Sequence, residues 1–266
     1  MTNTISTANT PRAGWGRRLS WLALALTIGG LAAALIAAAG SAFDAWPFRT
    51  GFAILRYAFY AAMAGGVLAI VAFFVSRRSG VRTGRMNLVA LAIAVAFGAY
   101  LVSHIIEAKS VPAIHDATTD LVNVPQFSTL KVRVDNLDDI PDNGRPELAA
   151  LDPESRWKVL HTEAYSDLRA LRIAVPPADA LRRAEALAKS RGWQVARVDP
   201  QSGTLEATAE TLFFRFKDDV VVRVRPDPAR AAGSIVDMRS ISRVGGSDIG
   251  VNAQRIRAFL ADLAKA

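Results

Sequence analysis

The chain has no cysteine among its 266 residues. Disulfides, thiol nucleophiles and cysteine-ligated zinc or iron–sulfur centres are therefore excluded. Histidine is scarce as well, with three copies at His104, His115 and His161. The two-histidine helical spacing H-E-x-x-H is absent, as is a complete G-x-S-x-G turn. The scarcity with the widest consequences is of negative charge near the N-terminus. Residues 1–110 hold ten Lys/Arg and two Asp/Glu, whereas residues 111–266 hold 22 of each sign. The net charge of +8 thus sits entirely in the first part. A neutral C-terminal part lacks the electrostatic footprint of a nucleic-acid binder, so no nucleic-acid partner is expected.

Charge is also missing from three long runs, lying between Arg18 and Asp44, Arg56 and Arg77, and Arg85 and Glu107. About 20 apolar helical residues cross a bilayer core, so each run is long enough. The expected spans are about 19–43, 57–76 and 86–106. Trp15, Trp21, Trp46, Phe48, Tyr57 and Tyr100 lie near their ends, as interfacial aromatics do. Small residues one turn apart in "GGLAAALIAAAG" and "AAMAGG" predict close helix packing.

The arginines set an expected orientation. Arg12, Arg17 and Arg18 precede the first span, and Arg77, Arg78, Arg82 and Arg85 crowd the loop between the second and third. The other side has Arg49, Arg56 and Lys109. The positive-inside rule places residues 1–18 and the arginine loop in the cytoplasm. Three crossings then put residues 110–266 outside it. The Ala- and Arg-heavy composition suggests a bacterium, which gives an inner-membrane protein with a periplasmic domain. The first apolar run exceeds the 7–15 residues of a cleaved signal, so it is expected to stay as an anchor. The lipid bilayer is the expected partner, with a membrane or envelope protein as a further one.

The C-terminal part reads as α+β. Val111 to about Arg156 is rich in Pro, Asp, Asn and Gly without sustained period, and is expected to be loop. A strand follows in "DLRALRIAV", then a helix in "PPADALRRAEALAKSRG" with Gly192 as its stop. Strands are expected at Trp193–Val198, Thr204–Thr211, Phe213–Pro226 and Ser234–Val244, and a last helix from about Ile249 to Leu263. The order β-α-β-β-β-β-α with short connections predicts an antiparallel sheet with helices on one face.

"IHDATTD", "FKDDVVVRVRP" and "DMRSISRVGGSDIGVNAQRIRAFL" resemble the bacterial and plastid family called domain of unknown function 1499. The resemblance runs over roughly residues 110–264. It implies a domain boundary near residue 110 and membrane spans ahead of the domain, as in bacterial members. It implies no reaction, ligand or catalytic residue.

The candidate sites come from the residues themselves. In "SISRVGGSDIGVN", Gly245 and Gly246 precede Ser247, Asp248 and a helix. The plain reading is a turn and an N-cap. The functional reading is an anion site of glycine amides with Arg239, Arg243 or Arg255. Asp218 and Asp219 are expected in a turn or bulge rather than as a carboxylate pair. Asp135, Asp138, Asp139 and Asp142 fail the EF-hand spacing and are expected in a plain loop. His115 and Asp116 could join His161 in a two-histidine, carboxylate metal site, with Asp120, Glu163 or Asp167. More than forty residues separate the two segments, so "IHDATTD" is read first as the threshold of the domain. No cofactor is expected. The leading functional reading is a non-enzymatic binding or envelope-associated scaffold module. The alternative is a metal-dependent hydrolase using the His115 and His161 segments.

Overall fold

The computed structural model describes residues 11–265, with side chains from residue 14 onward. Residues 1–10, most of the segment expected to precede the first span, lie outside the described residues, as does the side chain of Arg12. The chain divides into two compact units after Ile105.

The first unit holds α1 (Pro11–Ala42), α2 (Phe48–Arg78) and α3 (Gly84–Ser110) as far as Ile105. Each contains a window long and apolar enough to cross a membrane. Their packing surfaces are small residues, with Ala23, Ala69 and Ala90 in one cluster and Ala34, Ala58, Ala62 and Phe97 in another. A Cβ on Gly30 would stand 2.7 Å from the Ala58 carbonyl oxygen. One on Gly65 would stand 2.9 Å from the Ala23 carbonyl oxygen, so side chains larger than hydrogen would hold α1 and α2 apart. Leu35, Ile36, Val67, Phe74, Leu88 and Val95 face outward, as helices surrounded by lipid require. Ser20 Oγ lies 3.0 Å from Thr83 Oγ1 in a buried polar contact between α1 and the start of α3.

The second unit holds β1 (Asp116–Thr118), α4 (Pro146–Ala149), α5 (Pro153–Ala164), β2 (Leu171–Ile173), α6 (Pro177–Ser190), β3 (Gln194–Asp199), β4 (Thr204–Glu210), β5 (Lys217–Pro226), β6 (Ser234–Ser242) and α7 (Val251–Leu263). The sheet is antiparallel throughout, in the order β1-β6-β5-β4-β3, and β2 also pairs with β6. β1 runs beside residues 239–241 of β6 and β2 beside residues 234–236. Two short strands thus share one long neighbour. The expected α+β class and the helices packed on one face hold. The segment expected to be loop adds a strand and two helices. Asp152 caps α5 by accepting from Ser155 N at 3.0 Å, and Pro153 occupies its first turn.

Register fixes the faces. Ala207, Val220, Ser240 and Ala117 lie side by side, as do Leu205, Val222 and Met238. This face packs on α6 through Ala180, Leu181, Ala184 and Ala188, and on α7 through Ala253, Ile256, Phe259 and Leu260. The opposite face carries Asp116, Thr118, Asp219, Arg223, Glu206, Thr208, Asp237 and Arg239. Asp116, Glu206, Asp219, Asp237 and Arg239 are nonetheless buried. They are buried because the non-helical segment 119–136 crosses this face and bonds to it at several points.

Candidate functional site

The covered polar face begins with the Asp116–Arg239 pair. These two stand on neighbouring strands two residues out of register, which keeps them on the same face. Arg239 Nε donates to Asp116 Oδ1 at 3.0 Å and Nη2 to Oδ2 at 2.7 Å, a bidentate pair with both partners buried. Asn136 Nδ2 adds a third bond to Asp116 Oδ2 at 2.8 Å. The Asp116 carbonyl accepts from Trp157 Nε1 at 2.9 Å, which ties α5 to the same residue.

Further along the face, Glu206 takes the backbone of the crossing segment. Ser128 N, Thr129 N and Leu130 N point at its carboxylate from 2.7 to 3.1 Å, and Ser128 Oγ joins at 2.5 Å. Burial pushes the Glu206 carboxyl up, and these donors outweigh it, so its pKa is lowered overall. Asp237 accepts from both Arg225 at 2.7 Å and Arg223 at 3.1 Å through Oδ2, and Arg223 also donates to Asn123 O at 2.8 Å. At the other end of β5, Arg243 forks onto Asp219 at 2.7 and 2.8 Å.

The helix-covered face has its own polar knot. Asn252 on α7 donates to His115 O at 3.0 Å and Ser242 Oγ at 2.9 Å, and accepts from Ser240 Oγ at 2.6 Å. Arg255 donates to Ser240 Oγ at 3.0 Å, to Asn252 Oδ1, and to Asp218 Oδ2 at 2.5 Å. Asp218 and Asp219, expected in a turn or bulge, lie inside β5 in unbroken register with Ser242 and Ile241. Adjacent strand residues face opposite ways, so each carboxylate goes to a different arginine on a different face. The calcium-like loop places Asp135 on Arg133 at 2.6 Å, which holds its carboxyl down at about 2, and Asp142 on Gly144 N.

The Gly245–Asp248 turn is built as a cap. Gly245 holds a φ of 91°, and Ile249 and Gly250 hold 57° and 77°. Those two left-handed residues delay α7 to Val251, two residues later than the apolar spacing predicts. Asp248 accepts from Gly250 N at 2.9 Å and Asn252 N at 2.7 Å, and its own N–H donates to Ile114 O at 3.2 Å. Ser247 Oγ accepts from Ile249 N at 3.2 Å. Gly246 O faces His115 Nδ1 at 3.5 Å. Burial raises the Asp248 carboxyl, and the backbone bonds oppose the rise. Arg239, Arg243 and Arg255 each go to their own aspartate, so an anion at this turn would meet Asp248 first.

The two histidine segments are brought near each other by β1, without forming a ligand set. His161 Nε2 accepts from Thr118 N at 3.0 Å, and its Nδ1 has no hydrogen-bond partner. Burial lowers its pKa to about 4. His115 Nε2 is also buried without a hydrogen-bond partner. Glu163 forms a two-bond pair with Arg145, Asp167 one with Arg257, and Asp120 accepts from Val122 N and Asn123 N. Among the described residues, no three His, Asp or Glu side chains stand together as metal ligands.

Asn252, Glu206 and Asp237 were not singled out by sequence reasoning, and Arg255 was named only beside the glycine turn. For Glu206 and Asp237 the signal lay in alternation: charged residues at every second strand position mark a polar face, and only the crossing segment reveals that this face is covered. Among curated proteins, none matches the chain. The family described as protein of unknown function, DUF1499, matches residues 116–263, from the first residue of β1 to the last of α7. That is more than half of the chain, and the chain belongs to this family.

Proposed function

We propose that this protein is a membrane-anchored, non-enzymatic binding or scaffold module, with residues 110–266 outside the cytoplasm of a bacterial inner membrane. The observation that carries the binding role is how the buried polar groups are used. Asp116, Glu206, Asp218, Asp219 and Asp237 each accept from arginine or backbone N–H donors. His161 is engaged through its Nε2 by a main-chain amide. A general base needs a ring nitrogen or carboxylate oxygen that a substrate proton can reach; His115 Nε2, His161 Nδ1 and Asp237 Oδ1 carry no hydrogen bond but are buried, and the other atoms of these groups hold strands together. A globule that commits its buried charges to its own fold suits recognition by its rim and surface. The sidedness rests on the arginines at the ends of α1 and α2 and the start of α3, against Arg49, Arg56 and Lys109 on the other side.

Two measurements test this reading. Phosphatase and fluorescent reporters fused to the C-terminus should be active and dark, respectively, and a fluorescent, inactive pair would reverse the orientation. Elemental analysis of the purified chain should give no stoichiometric metal. Zinc or iron at one per chain, lost in His115→Ala and in His161→Ala, would favour the hydrolase reading instead.

A further inference from the structure

In an antiparallel sheet successive turns alternate between the two ends. The turns at 200–203 and 227–233 lie at one end, and the β4–β5 hairpin at the other. That hairpin is closed by Thr211 N donating to Phe216 O at 2.9 Å. At its tip Leu212 is 85 % exposed and Phe213 48 %. Three other segments gather at the same end. Arg243 N donates to Lys217 O at 3.0 Å and Ser242 N to His115 O at 3.0 Å. Arg133 Nη1 donates to Gly245 O at 2.6 Å, which brings in the loop around it. These segments add Val132, Val134 and Val244 as exposed apolar residues, and Lys131 and Lys217 as exposed cations. The sheet's core does not use any of these side chains.

This is also the end at which the chain enters the domain. α3 ends at Ser110 and β1 begins at Asp116, so residues 111–115 are the whole tether. Fully extended, five residues reach at most about 18 Å. α3 has 27 residues and so runs for about 40 Å, against a hydrocarbon core of about 30 Å. Its last turns therefore stand at headgroup depth, and the tether starts there. The turns at the far end of the sheet lie a further ~30 Å away along the ten residues of β5. Connectivity alone thus selects the end carrying Leu212 and Phe213 as the one within reach of lipid. Aliphatic and aromatic side chains flanked by lysine are the composition that settles at a bilayer interface.

We propose that this end of the domain is a lipid-contact surface. Leu212 and Phe213 insert at the boundary between headgroups and acyl chains of the bilayer that the helices cross. Val244 and the loop bearing Val132 and Val134 flank them, and Lys131 and Lys217 lie at the level of the phosphates. The contact depends neither on which side of the membrane the domain occupies nor on its binding role.

The absence of cysteine makes the test direct. In the full-length protein, Leu212→Cys and Gln201→Cys each give one labelling position, at opposite ends of the sheet. Both replaced residues are exposed, so neither change touches the core. Each variant is labelled with an environment-sensitive fluorophore. Each is then placed one chain per nanodisc in phosphatidylcholine containing a minority of phosphatidylglycerol, with and without acyl-chain nitroxide lipids. The label at 212 should emit to the blue of that at 201, and nitroxide lipid should quench it about twofold or more while leaving 201 unchanged. Equal emission and equal quenching at the two positions would overturn the proposal. A blue shift at 212 without lipid quenching would also overturn it, since the tip would then be covered by protein.

Discussion

Replacing Arg239 by methionine would preserve most of its aliphatic bulk and remove the cation facing Asp116. The carboxylate is 1 % exposed and would keep a single side-chain donor, Asn136 Nδ2 at 2.8 Å. Removing one partner of a buried ion pair costs about 3–5 kcal/mol, because the remaining charge is left without compensation. For a domain of this size each kcal/mol lowers Tm by about 2–4 °C, so Arg239→Met should melt roughly 10 °C early. The double variant Asp116→Asn, Arg239→Met removes both charges and keeps a side chain able to accept from Asn136. It should recover about half or more of that loss. The assay is thermal unfolding of the full chain in nanodiscs, followed by near-ultraviolet circular dichroism, to which Trp157 on the Asp116 carbonyl contributes. Two results would refute the reasoning: a single-variant loss below about 1 kcal/mol, or a double variant as unstable as the sum of the two singles.

Other perturbations follow from the same geometry. His161 has its folded pKa lowered to about 4, while its unfolded pKa is 6.5. The unfolded chain therefore binds the extra proton first as pH falls. The domain should be fully stabilised above about pH 6.5 and lose up to about 3 kcal/mol on the way down to pH 4. His161→Gln, which can still accept from Thr118 N, should flatten that limb of a pH-dependent urea titration. Glu206→Gln puts an NH₂ group where Ser128, Thr129 and Leu130 donate, and should cost about 2 kcal/mol. Hydrogen exchange should then quicken at those three amides ahead of the strands. Asn252→Ala removes the donor to His115 O and Ser242 Oγ and the acceptor for Ser240 and Arg255, and should cost about 2–4 kcal/mol in denaturant titration. Gly30→Val should separate α1 from α2 and shorten the melting of the helical unit, read by crosslinking at nearby α1–α2 positions.

The sequence made the spans and the central strands legible for one physical reason: both are repeated local patterns. Uncharged runs announce the three helices, and Val220, Val222 and Val224 announce a buried strand face at every second residue. What escaped was of two kinds. α5 opens with "LDPES", where Asp152 caps and Pro153 starts the helix, yet the many polar residues around it read as loop. β1 is three residues long and has no periodicity to detect, and only its pairing with β6 makes it a strand. The candidate sites depended on the same missing information. "FKDDVV" looks like a turn until β4 and β6 flank it and send Asp218 and Asp219 to opposite faces. At the glycine turn Asp248 accepts from Gly250 N and Asn252 N, yet the N-cap of α7 is Gly250, and the left-handed residue at Ile249 carries no sequence signal.

β6 explains why so much charge sits inside a domain of net zero charge. All nine of its residues are buried, and it pairs with three strands, β1, β2 and β5. A strand buried on both faces could be a run of valine and isoleucine, and it would then slip in register at little cost. Here Asp237, Arg239, Ser240 and Ser242 each meet a named partner on β5, β1 or α7, so a shift by one residue would swap the faces and leave every one of those groups buried without a counterion or hydrogen bond. The penalty for a wrong register is thereby several times the net worth of any single pair in the right one. The ion pairs of this sheet specify which strands meet and where, and that work occupies the residues that a sequence search for chemistry would otherwise single out. The parts the core does not need are then the exposed hairpin tip at Leu212 and Phe213 and the loops gathered beside it, where the proposed lipid contact falls.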